Sequence, residues 1–511
     1  MNLLEKVLNY LEPNVEKQKY WMETQSLFSP SQAECMLLFK QELEDIKEYG
    51  ERVLVAGDYD CDGICATTIM VHGLRHYGID CGFYIPNRIK EGYGLSINTV
   101  ELAYKKGYST IITVDNGVKA FEALERAAQL NMRVIVTDHH TIDQEVDCDI
   151  LIHPTTLEDS FSNLCGAAIA YECMRVLDMD NPYYLQLAAI ASVGDVMEVT
   201  KETRAIIQQG LLIMNKQPDP HIHALQPGPY DETTIGFQIV PKLNAVGRLA
   251  DLANVNNVVR FFLDLNPMNI QKFKEQAEYI NNTRKQLSDV VYNQAISKIN
   301  KEEDILLVVD PSFHEGIIGL VAGRIMNEFQ KPTIVMSESD GICKASMRAP
   351  DGFDCMEFFS SFSYFSAFGG HKLAAGFSVK VEDMPSFVEY IRNRCQTYRF
   401  EIVEKKYMVI EESDCSVAEI ESLNVLRPFG QGFPFPNMKL EEPKIKSCFQ
   451  IQGGKHCKYT LQSNLECMLF NQSRENTFHS PYEIKGLIGT LSINTFRQKR
   501  SVNFLIDEIE Y

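Results

Sequence analysis

Residues 52–63 read RVLVAGDYDCDG: a short apolar run ends at Gly57 and is followed by carboxylates at alternate positions, Asp58, Asp60 and Asp62. A run of this length and β-branched character predicts a buried strand, and the acidic tail is too polar to continue it. Two later segments repeat the design. TIITVDNG at 110–117 runs into Asp115, and RVIVTDHH at 133–140 runs into Asp138, His139 and His140. The further runs CGFYIP and DILIHP alternate with helical patterns such as ATTIMVHGLRHYG and KAFEALERAAQLN. That alternation predicts an α/β fold built on a mainly parallel sheet with helices on both faces. In an open parallel sheet the ligand crevice lies beyond the carboxyl ends of the strands, so the three polar tails should meet at one place.

One aspartate after one strand is ordinarily a turn or a helix cap. Three strand ends in succession, with Asp-x-Asp-x-Asp-Gly and Asp-His-His among them, call for a common cause. Gathered carboxylates repel one another and stay ionised when a multivalent cation lies between them. Aspartate oxygens mixed with imidazole suit Mn²⁺, or Mg²⁺ with some loss of ideality. Two such ions, sharing a carboxylate, would polarise a phosphodiester and make hydroxide from water near neutral pH. A further acidic site is expected at Asp195, where the apolar stretch LAAIASVGD (187–195) ends.

The bulk properties set the frame. At 511 residues the chain is too long for one ordinary core, which suggests about three domains. No run of about eighteen uncharged apolar residues occurs, and the opening MNLLEKVLNYLEPNVEK is a helical pattern rather than a signal peptide, so the chain is expected to be cytoplasmic. Fourteen cysteines without a CxxC pair read as reduced thiols. A formal charge of −20 opposes direct phosphate binding, unless some carboxylates hold cations that in turn meet phosphate.

Beyond the first sheet, residues 262–300 keep helical periodicity long enough to read as a connector. ILLVVD, PTIVMSE, ICKASMRA and AAGFSVKV then mark a second, smaller α/β unit. After about residue 400 short strands follow closely, from YMVIEE to SVNFLIDEIEY, as in a small barrel of OB type.

GDYDCDG, IPNRIKEGYGL, VDNG and TDHH, in that order, resemble the successive motifs of the DHH phosphoesterase superfamily in its RecJ form. PKLNAVGRL (241–249), FHEGIIGLVAGRI (313–325), KASMRAPDGFD (344–354) and FGGHKLAAGF (368–377) resemble further RecJ blocks, the last two those of a companion DHHA1 domain. RPFGQGFPFPNM (427–438), GGKHCKYTL (453–461) and LSINTFRQKRSVNFLI (491–506) resemble the approach to an OB domain and its strands. The resemblance implies a DHH domain at 1–261 with an N-terminal helical segment, a connecting helix at 262–300, a DHHA1 domain at 301–399 and an OB domain at 400–511.

It implies two ions, Mn²⁺ or Mg²⁺, with Asp60 and Asp62 each holding a different one and Asp115 bridging. His139 and Asp195 would complete the second site, Asp58 is a further candidate ligand, and His140 would lie near the scissile phosphate as an acid or a supporting donor. Arg88, Arg248, Ser346 and Arg348 are nominated to hold the DNA strand and its 5′ phosphate, and Gly369, Gly370 and His371, read as a tight turn, to bring amides and a donor up to it. Phe496, Arg497, Lys499 and Arg500 would form a basic hairpin on the barrel.

The activity implied is hydrolysis of single-stranded DNA from its 5′ end to 5′-mononucleotides in repair and recombination. A helicase and a single-strand-binding protein are the partners implied, and no membrane. Two alternatives stand beside it: a short-RNA or cyclic-dinucleotide phosphodiesterase, and a scaffold that keeps the fold without its metals.

Overall fold

The computed structural model describes residues 1–511 except 402, 404–405, 452, 454–455, 471–482 and 498, together with the side chain of Phe496. The chain divides into two compact units, one of Phe28–Asp195 with Gly210–Val403 and one of Met1–Leu27, Val196–Gln209 and Glu404–Tyr511.

The first unit begins with a five-stranded sheet of β1 (Arg52–Ala56), β2 (Asp80–Tyr84), β3 (Thr110–Val114), β4 (Arg133–Thr137) and β5 (Ile150–Ile152). Every pairing is parallel and the order is β2-β1-β3-β4-β5. Alternate residues face opposite ways along a strand. Leu54, Ile111, Val134 and Val136 join one core with Val100, Ala123 and Leu124 of the flanking helices, while Val53, Val55, Ile112 and Ile135 are buried too. Burial of both sets explains why these strands read as continuous apolar runs rather than alternating ones. Because the chain leaves β1 towards β2 and returns on the other side as β3, the order reverses between β1 and β3. A crevice opens at the carboxyl ends of two such strands.

Helix Pro267–Lys298 fills the expected connector at 262–300, and helix Asn256–Leu263 ends at its start, with a break at Asp264–Asn266, where Asn266 caps the longer helix. The sheet that follows comprises β6 (Leu306–Asp310), β7 (Thr333–Ser339), β8 (Ile342–Arg348), β9 (Phe365–His371) and β10 (Ala374–Lys380), in the order β6-β7-β8-β10-β9. Its core is aromatic, with Phe353, Phe358, Phe359, Phe377 and Phe387 buried together. Strand β9 carries Gly369, Gly370 and His371, so the segment read as a tight turn is an edge strand. Gly370, at φ 152°, leaves no room for a side chain, since a Cβ would come within 2.3 Å of the Ala374 carbonyl oxygen.

The second unit holds β11 (Met408–Ile410), β12 (Met438–Glu441), β13 (Ile445–Ile451), β14 (His456–Leu461), β15 (Glu466–Leu469), β16 (Gly486–Phe496) and β17 (Lys499–Glu510). They form one mixed sheet in the order β11-β12-β16-β17-β15-β14-β13. Among the described residues no pairing closes its two edges, so the expected barrel is here an open seven-stranded sheet. In the expected basic hairpin Arg500 pairs with Glu421 at 2.7 Å, and the Phe496 side chain lies outside the described residues.

The N-terminal helices Leu3–Leu11 and Val15–Met22 differ from expectation. They belong to this unit rather than to the first sheet's domain: Leu3, Val7, Leu8 and Trp21 share a core with Leu426, Phe433, Tyr459 and Phe504. The stripe of Leu3, Val7 and Leu8 demands an apolar partner, and the pattern of one helix cannot say which. Arg204 locks this core. Buried against Trp21 at 4.9 Å, it donates to the carbonyls of Trp21, Leu426 and Pro428 at 3.0–3.1 Å. No helix among the described residues is long and apolar enough to cross a membrane.

Candidate metal centre

Strand β1 ends beside Asp58, and helix Cys61–Tyr77 starts at once, capped by Asp60, whose Oδ1 accepts from the amides of Asp62 and Gly63. Asp62 therefore sits in the first turn of a helix and turns inward, 2% exposed. Both its oxygens accept backbone bonds of 2.7 Å from Gly166 and Ala167 at the start of helix Gly166–Val176. That helix has no side-chain cap of its own, so Asp62 satisfies amides that would otherwise be orphaned, with the helix dipole aligned to favour its charge. Gly166 is required there: a Cβ would lie 2.5 Å from that of Asp115.

Asp115 follows β3 in the left-handed region, φ 60°, an uncommon state for an aspartate. It is 2% exposed, and its Oδ1 lies 3.1 Å from His139 Nε2. The same His139 nitrogen is 3.6 Å from Asp62 Oδ2 and 3.5 Å from Asp195 Oδ2. Asp195 arrives from the C-terminal end of helix Pro182–Gly194. Ligating atoms within 4.8 Å of one another form overlapping groups: Asp62, His139 and Asp195; Asp58, Asp60 and Asp115; and Asp115, His139 and His140. All six residues expected to gather at the strand ends, together with His140, are thus in one place.

Asp58 Oδ1, Asp115 Oδ1 and His139 Nε2 are buried with no hydrogen-bond partner. Buried polar atoms without partners are costly, and two carboxylate oxygens and an imidazole nitrogen in one cluster have the donor chemistry of a divalent-cation site. The electrostatics agree. Burial, then the neighbouring aspartates, push the Asp58, Asp60 and Asp115 carboxyls up, and Asp195 up to about 8. Cations among them would cancel the repulsion and offset the cost of burial.

Asp138 behaves differently. Its Oδ1 accepts from the His139 and His140 amides and lies 2.8 Å from His140 Nδ1, while Oδ2 accepts from the Val118 amide. It is a bracket for the loop that carries both histidines. Burial lowers the His140 pKa, but the hydrogen bond and charge of Asp138 outweigh it and raise the imidazole to about 8. Tyr93 lies across this ring, its hydroxyl 3.3 Å from Nδ1 while donating to the Asp115 carbonyl. Sequence reading singled out neither Asp138 nor Tyr93 as a working residue, although both lie inside motifs it quoted.

A cavity of about 450 Å³ is lined by Tyr59, Tyr93, Arg88, Arg248, Ser346, Arg348 and Gly369, with Glu315 and Lys344 paired at 2.7 Å on its wall. All four nominated strand-holding residues line it. Gly369 does as well, whereas Gly370 packs on β10 and His371 is exposed outside the lining. Burial pulls the Arg248 guanidinium down to about 10, and the positive charges of Arg88, Arg284 and Arg348 add to that. Arg348 donates to Ser346 Oγ at 3.0 Å, which fixes both side chains. Cations crowded this way are the complement of a multiply charged anion. Arg284, on the long helix, was invisible in the sequence as anything but one charge among many.

Family models match in sequence order: the DHH family N-terminal domain over residues 52–194, the DHHA1 domain over 302–397 and the RecJ OB domain over 408–508. The single-stranded-DNA-specific exonuclease RecJ of Bacillus subtilis (strain 168) is 29% identical over 482 residues, 90% of this chain and 61% of that protein. The chain thus spans less than two thirds of that relative. RecJ of Haemophilus influenzae is 27% identical over 90% of this chain and 88% of its own. Among solved structures, RecJ from Thermus thermophilus in complex with Mn²⁺ has a TM-score of 0.86 at 21% identity, over 100% of this chain and 76% of that one. Three domain models in this order, on this architecture, place the chain in the DHH–DHHA1 phosphoesterase family as a RecJ-like member.

Proposed function

We propose that this chain hydrolyses single-stranded DNA stepwise from its 5′ end, releasing 5′-mononucleotides, and that it serves DNA repair and recombination. The observation that carries the reading is the pairing of a carboxylate–imidazole cluster with an arginine-lined cavity in one unit. A nuclease that starts at a 5′ end must fix that end at a set distance from the reacting bond, since positioning decides which bond is attacked.

Asp58, Asp60 and Asp115 would hold one Mn²⁺ or Mg²⁺, and Asp62, His139 and Asp195 the other, with Asp115 between the two groups. Such a pair of ions supplies Lewis-acid polarisation of the phosphate and a water acidic enough to deprotonate near neutral pH. Arg88, Arg248, Arg348 and Ser346 bind the terminal phosphate, with Arg348 already oriented by Ser346. His140 keeps its Nδ1 proton on Asp138 and, when protonated on Nε2 as well, can give that second proton to the departing 3′ oxygen. Tyr93 limits the rotation of that ring. A helicase, a single-strand-binding protein and a cytoplasmic location fit the reading.

The test is degradation of DNA labelled at its 3′ end, single-stranded or duplex, beside RNA and cyclic dinucleotides, with Mn²⁺. Mononucleotides from single-stranded DNA, requiring a 5′ terminus, are expected. Cleavage within a circle, or preference for a cyclic dinucleotide, would refute the assignment.

A further inference from the structure

A second cavity, of about 310 Å³, shares the Tyr59 and Arg88 wall of the arginine-lined one. It is otherwise lined by Tyr84, Asn87 and Glu91 on one side and by the backbone and side chains of 247 and 250–256 on the other. We propose that it is a nucleobase subsite, which takes the base of the 5′-terminal nucleotide while the phosphate of that nucleotide lies in the neighbouring cavity. This rests on the reading of the chain as a 5′-end nuclease.

Charge separates the two spaces. The first cavity gathers Arg88, Arg248, Arg348 and Lys344, whereas among the described residues the second has Arg88 as its one cation, beside the carboxylates of Glu91 and Asp251. A phosphate belongs in the first and would be repelled from the second. A neutral, flat, partly polar group has no such penalty. Tyr59 offers it a ring, and Arg88, whose guanidinium lies 4.8 Å from the Tyr59 ring centroid, offers it a planar cation. Aromatic rings and guanidinium planes are the surfaces on which single-stranded bases stack.

Location agrees with size. Tyr59 packs edge-on against Tyr93, whose hydroxyl reaches the Asp115 carbonyl and His140, so the wall common to both cavities also borders the metal centre. A volume of about 310 Å³ is at the lower end of small-molecule clefts, which run roughly 300–1,000 Å³.

The lining also indicates which bases it accepts. Glu91 takes bonds from the Tyr84 hydroxyl and the Asn87 amide, Asn87 donates to the Ala250 carbonyl, and Asn256 spends both ends of its amide on Ile85. Those polar groups hold the walls together rather than read an edge of a base. The subsite should therefore stack any base and select none, which suits an enzyme that must pass along arbitrary sequence.

The experiment uses the full chain with Mn²⁺ and 5′-phosphorylated oligonucleotides whose first linkage is a non-hydrolysable methylene phosphonate. Affinity is compared for oligonucleotides with a base, or an abasic residue, at the terminal nucleotide. Losing the base should weaken binding about tenfold, within the range for one stacked base, and equally for all four bases. Filling the cavity with Ala253→Trp should weaken the intact oligonucleotide by the same factor and leave the abasic one unchanged. Equal binding of abasic and intact ends by the wild-type chain would overturn the subsite alone. Retention of wild-type discrimination by Ala253→Trp would do the same. Failure of every 5′-phosphorylated oligonucleotide to bind would instead sink the nuclease reading on which the subsite stands. The wild-type comparison holds whether or not the variant folds.

Discussion

The metal centre and the arginine-lined cavity are neighbours built in opposite ways. The centre draws its acidic and imidazole groups mostly from strand ends, each a few residues past an apolar run, and leaves Asp58 Oδ1, Asp115 Oδ1 and His139 Nε2 buried without hydrogen-bond partners. The cavity draws Arg88 from a loop, Arg248 from the end of a helix and Arg348 from a strand of another sheet, while Arg284 on the long connector adds its charge from behind Arg248. One is local in sequence and set by strand geometry; the other exists only once distant segments have docked. Clustered anions and clustered cations are each unfavourable alone, and each makes sense as half of a site for metal and phosphate.

The contrast can be broken most directly at Asp115, which lies between both acidic groups. Asp115→Ala should lower nuclease activity by about 10³-fold or more, as removal of a preorganised charged group at a reacting centre does. Activity in a clean preparation at the wild-type level would refute the catalytic assignment. On the other side, Arg348→Ala should weaken binding of 5′-phosphorylated ends about 10- to 100-fold and barely affect 5′-hydroxyl ends. Equal losses for the two ends, measured by anisotropy, would show that the cavity holds something other than the terminal phosphate.

A finer test separates ligand from bracket. Asp138→Asn keeps the size of the side chain but removes the charge that lifts His140, so metal affinity measured by calorimetry should fall about tenfold. The basic limb of the pH–rate profile should also move to lower pH, because the cause of the raised pKa is gone. An unchanged profile would remove His140 from the proton-transfer step.

The smallest effect concerns stability. In metal-free protein the Asp195 carboxyl is raised from 3.8 to about 8, with burial and Asp62 and Asp60 as causes. A raised folded-state pKa means that the stabilising contribution is complete below about pH 4 and is lost as pH climbs towards about 8. Thermal melts in chelator should therefore fall by a few degrees from pH 5 to pH 8, and Mn²⁺ should raise Tm more at pH 8 than at pH 5. A pH-independent Mn²⁺ shift would mean that the ions do not relieve carboxylate repulsion.

Legibility in the sequence follows the same division. Strands β1, β3 and β4 and their polar tails could be read because both faces are buried and each run soon meets an aspartate. Asp138 looked like a companion of Asp115, yet its lone pairs are consumed by the loop it braces, a distinction that only hydrogen bonds reveal. Strand β9 escaped notice because FSAFGGH has two glycines and exposed positions that mimic a turn, and only pairing with β10 makes it a strand. The helices at the N-terminus were visible as helices, but their partner lies more than 400 residues away, as in the 2.7 Å ion pair of Lys6 with Asp414.

That shared core has a cost in time. During synthesis Leu3 and Trp21 emerge first, but the strands they bury against are among the last made, so the apolar side chains of these two helices must wait exposed while the sheet beginning at Arg52 folds without them. The guanidinium of Arg204, donating to carbonyls of residue 21 and of 426 to 428, is the clasp that closes only when both ends have arrived.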